Sequence, residues 1–477
     1  MLFSQPAFLF YFLPLLLLGY VLCPRAAQNA LLTAASLVFY AWGEKFYSVL
    51  MLISIGFNYL VTVRLDRCED RRLRKSWLAL GVACNLLLLG VFKYAGFFTD
   101  NLNQVLGFCS LGSVPAVRLH LPIGISFFTF HAISYLVDVY RRTVPLVRRL
   151  SDLALYISLF PQLIAGPIIR FKDVAMQIQQ RSMTRRLFAS GVQRFIIGFG
   201  KKILVADTVA RPADQIFALP FGDLSPGVAW LGVLCYTVQI YFDFSGYSDM
   251  AIGLGRMFGF SFRENFNHPY VSKSLKEFWT RWHISLSTWY RDYLYIPLGG
   301  NRNGPWSTAR NLCLVFFLCG LWHGASWSFV VWGLLHGLFL CLERASLYQK
   351  GLALLGPVAH LYTMLLVIVG WVFFRAETIP QALRFLMNMF GLAPGSTAGT
   401  GMLRFMTPEL VGILIVGAVG SAPVLRSGRL LLERRFTGAT GIVSWRFLDA
   451  GVLFAVFIVA AARMASGSYS PFLYFRF

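Results

Sequence analysis

Residues 318–327 read LCGLWHGASW, inside a run from Asn311 to Leu342 that contains no Asp, Glu, Lys or Arg. An ionisable side chain in such a run is costly unless a partner or a reaction uses it. His323 is therefore the first candidate for chemistry. A buried neutral imidazole can serve as a general base, and here it could activate a hydroxyl toward an activated acyl group. Gly320 and Gly324 lie four apart beside it, a spacing that lets helices approach closely or leaves room for a ligand. His336, in the next apolar run, can face the same interior. The structural alternative for His323 is a hydrogen bond across helices.

Two further polar clusters interrupt apolar sequence. In FNHPYVSKSLKEFWTRWHISLS (266–287), His283 follows Arg281-Trp282 and precedes Ser285 and Ser287, among side chains suited to holding a polar substrate. His268 precedes Pro269 and reads as a turn residue. In YFDFSGYSDM (241–250), Asp243 and Asp249 lie six apart and do not share one helix face. Ser245-Gly246 between them suggests a local bend, and pairing with nearby basic residues is the plainer role for both carboxylates. There is no GxSxG, no Ser/His/Asp spacing, no phosphate loop and no GxGxxG. A covalent hydrolase mechanism thus has no support. The 8 cysteines include no CxxC and no zinc spacing, and read as small buried hydrophobes.

The elements that must carry these residues follow from composition. Hydrophobic residues make up 57% of the 477 and charged residues 13%, against about 25% charged in a soluble domain. Apolar runs near the roughly 20 residues needed to cross a bilayer recur along the chain. About twelve crossings are expected, from 8–23 to 447–464, with 8–23 kept as a first helix rather than cleaved. His323 falls about 14 residues into its crossing, or roughly 20 Å of rise. The net charge of +22 gathers in short loops at 64–75, 141–149, 170–186 and 426–435. That is the pattern of cytoplasmic loops rather than of nucleic-acid binding, and it puts both termini outside. Residues 153–169 are apolar but carry Pro161, Gly166 and Pro167 between basic flanks, which reads as a re-entrant hairpin. From Arg256 to Asn303, charges mix with Trp279, Trp282 and Trp289; a folded, half-buried segment fits better than a simple surface helix. An exposed loop is expected at 391–401, and one helical membrane domain over 1–477.

The order of these pieces resembles the membrane-bound O-acyltransferase (MBOAT) family, and within it the bacterial AlgI-like branch that acetylates exopolysaccharides. The matching segments include FKYAGFF (92–98), LPIGISFFTFHAISYLVDVYR (121–141), FPQLIAGPIIR (160–170), GFGKKILVAD (198–207), YFDFSGYSDMAIGLGRMFGF (241–260), NFNHPY (265–270), FWTRWHISLSTWYRDYLYIPLGGNR (278–302) and LWHGASW (321–327). They are collinear and cover most of 90–340, whereas 1–89 and 341–477 match only in hydropathy. The resemblance implies an all-α polytopic membrane protein of about 11–12 transmembrane helices, with re-entrant or interfacial helices around a central tunnel. It implies His323 as catalytic base, and His283 as the second motif position, filled in the family by Asn, Asp or His. Trp322, Asn265 and Ser287 become candidates to help the thioester oxygen. Arg281, Lys273 and Lys276 become candidates for the donor's phosphates, although cytoplasmic topology alone would also place positive charge there. The implied donor is acetyl-CoA, with no tightly bound cofactor and no metal. The implied acceptor route is a periplasmic SGNH-type partner and polysaccharide export machinery, at a bacterial inner membrane. D-alanyl transfer, lipid acylation and transport without acyl chemistry are the competing readings.

Overall fold

The computed structural model describes residues 1–392, 401–424, 428, 439–467, 469 and 471. The loop expected at 391–401 and the basic stretch at 426–435 lie mostly outside the described residues. Every regular element among the described residues is helical. By contact, 1–192 with 251–263 form one compact unit, and 193–250 with 264–477 form another.

The first unit begins with α1 (Leu13–Leu22), α2 (Gln28–Glu44), α3 (Tyr47–Arg67) and α4 (Arg71–Phe108). Asp70 starts α4 by accepting the N–H of Arg72 at 2.6 Å, which satisfies one orphan donor of the first turn. The unit continues through α5 (Ile125–Tyr140), α6 (Leu150–Ser158), α7 (Phe160–Leu163) and α8 (Phe171–Gln179). The expected break at 153–169 is present. The helix stops at Leu159, Pro161 sits in the first turn of α7, and irregular backbone from 164 to 170 is buried throughout. Side chains tie the segment down: Ser36 Oγ accepts from Phe160 N at 3.1 Å, Gln162 Nε2 donates to Tyr156 O, and Tyr156 Oη donates to Ile169 O at 2.8 Å.

The helix α9 (Arg185–Gly200) leads through a π-helical turn at Lys201–Ala206 into α10 (Asp207–Phe217). Next comes α11 (Pro226–Met257), a helix long and apolar enough to cross a membrane. Its most apolar window is 78% buried, against 6% for the window at Phe447–Ala465, so α11 is interior where the latter is not. The bend expected at Ser245-Gly246 does not occur, because α11 runs unbroken. Gly246 serves close packing instead: a Cβ there would lie 2.8 Å from Gly198 O, so α9 and α11 touch backbone to backbone. The two aspartates take the plainer role. Asp249 accepts from Arg194 Nε and Lys201 Nζ, both at 2.8 Å, and Asp243 shares Lys202 with Asp207 at 2.7 Å each.

The rest of the second unit comprises the short helices α12 (Leu275–Arg281) and α13 (Ile284–Tyr290), followed by α14 (Gly304–His323), α15 (Trp327–Leu342), α16 (Ser346–Leu355), α17 (Ala359–Arg375), α18 (Ile379–Met389), α19 (Pro408–Ser421) and α20 (Ala439–Ala465). Five helical stretches among the described residues are long and apolar enough to span a membrane, and four shorter helices are apolar. This is an all-α, multi-pass membrane protein.

Candidate active site

His323 is the last residue of α14, at the turn into α15, rather than within a continuing helix. The chain leaves the helix at Gly324, whose backbone is extended, and Ser326 caps α15 by accepting Ser328 N at 3.2 Å. Across its 20 residues α14 rises about 28 Å, so His323 lies further along than the sequence count placed it. The hairpin is tight. A Cβ at Gly320 would meet Phe329 O at 2.3 Å, and one at Gly333 would meet Phe316 O at 2.2 Å. The small residues beside His323 therefore let two backbones meet. Gly324 is filled likewise by the ring of Phe329, 2.2 Å from a built Cβ.

Around the His323 imidazole stand three rings: Trp322 at 4.9 Å between centroids, Phe374 at 5.0 Å and Trp332 at 5.1 Å. The side chain is only 6% exposed. Trp332 is shared, since its far neighbour is His336 at 5.1 Å. His336 Nδ1 accepts from Trp279 Nε1 at 3.4 Å, which makes it a packed histidine one ring away from His323. Trp332 and Phe374 carried no signal in the sequence, where aromatic residues in apolar runs read as ordinary core.

His283 is fully buried, with the ring of Trp322 6.3 Å from its own. Its backbone is left-handed, φ 44° and ψ 54°, which breaks the segment into α12 and α13. The segment expected at 256–303 to be folded and half-buried thus has at its centre two short helices with a kink at the histidine. Trp279, Trp282 and Trp289 are all buried. Asn265 holds the kink. Its carbonyl accepts Ile284 N at 2.9 Å, and its Oδ1 accepts Ser285 N at 3.1 Å and Ser285 Oγ at 2.8 Å. His283 Nδ1 lies 3.3 Å from the same Oδ1 and 3.4 Å from Ser285 Oγ. An oxygen acceptor there requires the Nδ1–H tautomer, which leaves Nε2 as the basic nitrogen. Phe244 closes the ring from the side at 4.6 Å, edge-on.

Asn265 Nδ2 is buried with no hydrogen-bond partner among the described residues. A buried, unused amide donor beside His283 is what a developing negative charge on a carbonyl oxygen needs. Ser287 is half-buried, and its N–H donates to His283 O at 3.1 Å. The basic candidates divide. Arg281 is engaged internally, donating to Glu277 Oε1 at 2.9 Å and to Asn267 O at 3.0 Å. The side chains of Lys273 and Lys276 are exposed. Their main-chain N–H groups meet carboxylates: Lys273 N donates to Glu277 Oε2 at 2.9 Å and Lys276 N to Glu343 Oε2 at 3.0 Å. The structure thus brings His323, Trp322, His283 and Asn265 together and leaves the two lysines at the surface of the same segment.

The site is thus built in a multi-pass helical membrane protein from two buried histidines close to one tryptophan. Residues 126–374, more than half of the chain, match the model of MBOAT, the membrane-bound O-acyltransferase family, and the chain belongs to that family. It is 43% identical to the probable alginate O-acetylase AlgI of Pseudomonas putida, with 100% of both chains covered. It is 40% identical to the peptidoglycan O-acetyltransferase of Helicobacter pylori over 82% of this chain and 80% of that one. Similarity extends to the teichoic acid D-alanyltransferase of Streptococcus thermophilus, at 30% identity over 48% of this chain and 58% of that one.

Proposed function

We propose that this enzyme takes an acetyl group from cytoplasmic acetyl-CoA and passes it across a bacterial inner membrane for O-acetylation of an exported polysaccharide. The observation that carries the reading is the pair of buried histidines that both lie near Trp322, with the unused amide of Asn265 beside one of them. Full-length similarity to alginate O-acetylases favours a polysaccharide as the final acceptor. Its immediate acceptor is then a hydroxyl of a periplasmic SGNH-type partner coupled to the export machinery. Both termini lie on the periplasmic side, and the basic loops at 64–75, 141–149 and 170–186 face the cytoplasm.

In this mechanism the imidazole of His323 accepts the proton of the attacking hydroxyl as its oxygen bonds to the thioester carbonyl carbon. The carbonyl π electrons move onto oxygen, where Asn265 Nδ2 and Trp322 Nε1 are placed to donate. Collapse breaks the C–S bond, and the protonated His323 returns its proton to the departing thiolate. The Nδ1–H···Oδ1 contact to Asn265 holds the His283 ring in one orientation beside this path. Lys273 and Lys276, exposed on the same segment, attract the donor's phosphates.

The test is transfer from radiolabelled acetyl-CoA in membranes holding the wild type or His323→Ala, made in a host with the partner genes. A general base contributes about 10²–10⁴-fold, so the variant loses label by at least two orders of magnitude at equal protein level. Equal labelling in both would remove His323 from the chemistry. The similarity to teichoic acid D-alanyltransferases supports one competing reading, transfer of a carrier-bound aminoacyl group. It predicts labelling from an aminoacylated carrier protein and none from acetyl-CoA.

A further inference from the structure

The first unit contains a cavity of about 430 Å³ that shares no lining residue with the histidine site. Its walls come from the turn into α2, with Arg25, Gln28 and Asn29, and from the end of α8 and the turn after it, with Gln180, Arg181 and Ser182. No carboxylate lines it. Neither arginine has an ion-pair partner among the described residues. The nearby Asp173 is taken by Arg170 at 2.9 Å and Arg263 at 2.8 Å. The chain has no acidic residue at all before Glu44. Two guanidinium groups, several amides and a hydroxyl around a concave space, with no compensating anion, match the acceptor oxygens of a phosphate group.

The pocket is also pre-formed. Arg181 Nη1 donates to Asn29 Oδ1 at 2.5 Å, and Nε donates to Tyr20 Oη at 3.1 Å and Phe258 O at 3.2 Å. The guanidinium lies 4.5 Å from the centroid of the Phe260 ring. Asn29 Nδ2 in turn donates to Ile178 O at 3.0 Å, tying the two walls together. A cation fixed in this way loses little further entropy on binding.

Position separates the sources of phosphate. Leu15, Leu18, Val21 and Leu22 of α1 are 59–74% exposed on an apolar helix, a surface suited to lipid chains, and they lead directly to Arg25. On the proposed topology the cavity therefore opens where this apolar helix ends at the head-group layer, on the side of the basic stretch 170–186. We infer that this cavity binds the phosphate of an anionic phospholipid head group. The inference is independent of the acyl-transfer reading.

Thermal melting of the purified full-length protein in detergent tests it, with short-chain phosphatidylglycerol, glycerol phosphate or short-chain diacylglycerol added. Arg25 is exposed, so Arg25→Gln removes a charge without disturbing the fold; Gln28→Glu places a repelling carboxylate in the cavity. Without lipid, Arg25→Gln is expected to melt like the wild type, and Gln28→Glu, which gives up the Nε2 bond to Tyr20 O at 3.3 Å but gives the arginines a carboxylate, to stay folded and melt close to it. Phosphatidylglycerol should raise the wild-type melting temperature saturably, with its half-saturating concentration about tenfold higher or more in each variant, the loss of a charge-assisted hydrogen bond. Glycerol phosphate matching phosphatidylglycerol would overturn the lipid source in favour of a soluble phosphate ester. An unchanged response in both variants, or an equal response to diacylglycerol, would overturn the site.

Discussion

Asn265 offers the most direct separation of structure from chemistry, because its two side-chain atoms do different work. Oδ1 accepts Ser285 N and Ser285 Oγ and lies against His283 Nδ1, while Nδ2 is buried without a partner among the described residues. Asn265→Ala removes both atoms. Ser285 Oγ can turn to His283 Nδ1, 3.4 Å away, so the group left orphaned is Ser285 N–H, at a cost of about 1–3 kcal/mol. The kink at His283 also loses its brace. Asn265→Asp keeps every acceptor contact, deletes the two Nδ2 donors and adds a buried carboxylate whose charge opposes the same developing oxyanion. Removing one donor to a developing oxyanion costs about 10²–10³ in turnover, or about 2.7–4 kcal/mol. The expected result is a split. The alanine variant melts lower and is inactive, whereas the aspartate variant, whose carboxylate still accepts from Ser285 and His283, melts closer to the wild type and loses about 10²-fold or more in kcat with little change in KM. Melting in detergent and acetyl transfer in reconstituted membranes measure the two effects. An aspartate variant within threefold of wild-type turnover would refute the donor role, and an alanine variant with unchanged melting would refute the bracing role.

Gly320→Ala should destabilise the protein by about 3 kcal/mol or more, since its Cβ would meet the Phe329 carbonyl of α15 rather than a movable side chain. Gly351→Ala in α16, with nothing within 4 Å of its Cβ, is the matched control and should be neutral or slightly stabilising; equal melting of the two variants would contradict the tight hairpin. Lys202→Met leaves Asp207 and Asp243 buried without their shared cation and should cost about 3–5 kcal/mol, with much of it recovered in the triple variant that also carries Asp207→Asn and Asp243→Asn. No gain in folded yield or melting from the added asparagines would argue that the lysine acts otherwise than by neutralising them.

Much of the site could be read from the sequence because membrane burial makes polar residues conspicuous. His323 stood out against a run without charge, and His283 against three tryptophans. The helical class followed from hydropathy, and the break at 153–169 from its prolines and glycine. What could not be read was tertiary. Trp332 and Phe374 become a cage only when α15 and α17 fold back on α14, and their types announce nothing of this. The smooth passage of α11 through Ser245-Gly246 went unforeseen because a glycine's use, bending or close approach, depends on what lies opposite. Arg281 looked available in a one-dimensional reading. Its ion pair with Glu277 is local, but its bond to Asn267 O comes from the approach of a segment fourteen residues away.

The left-handed backbone at His283 bears on which amino acids position 283 can accept. Outside glycine, that region of conformational space is entered most readily by asparagine, aspartate and histidine. These are the three residue types that the family resemblance allows at the second motif position. The kink between α12 and α13 thus acts as a filter ahead of any catalytic demand: it admits short polar side chains with a nitrogen or oxygen near the backbone and turns away β-branched ones. Chemical variety at this position across the family would then be bounded first by geometry, with reactivity selecting among the few types the turn permits.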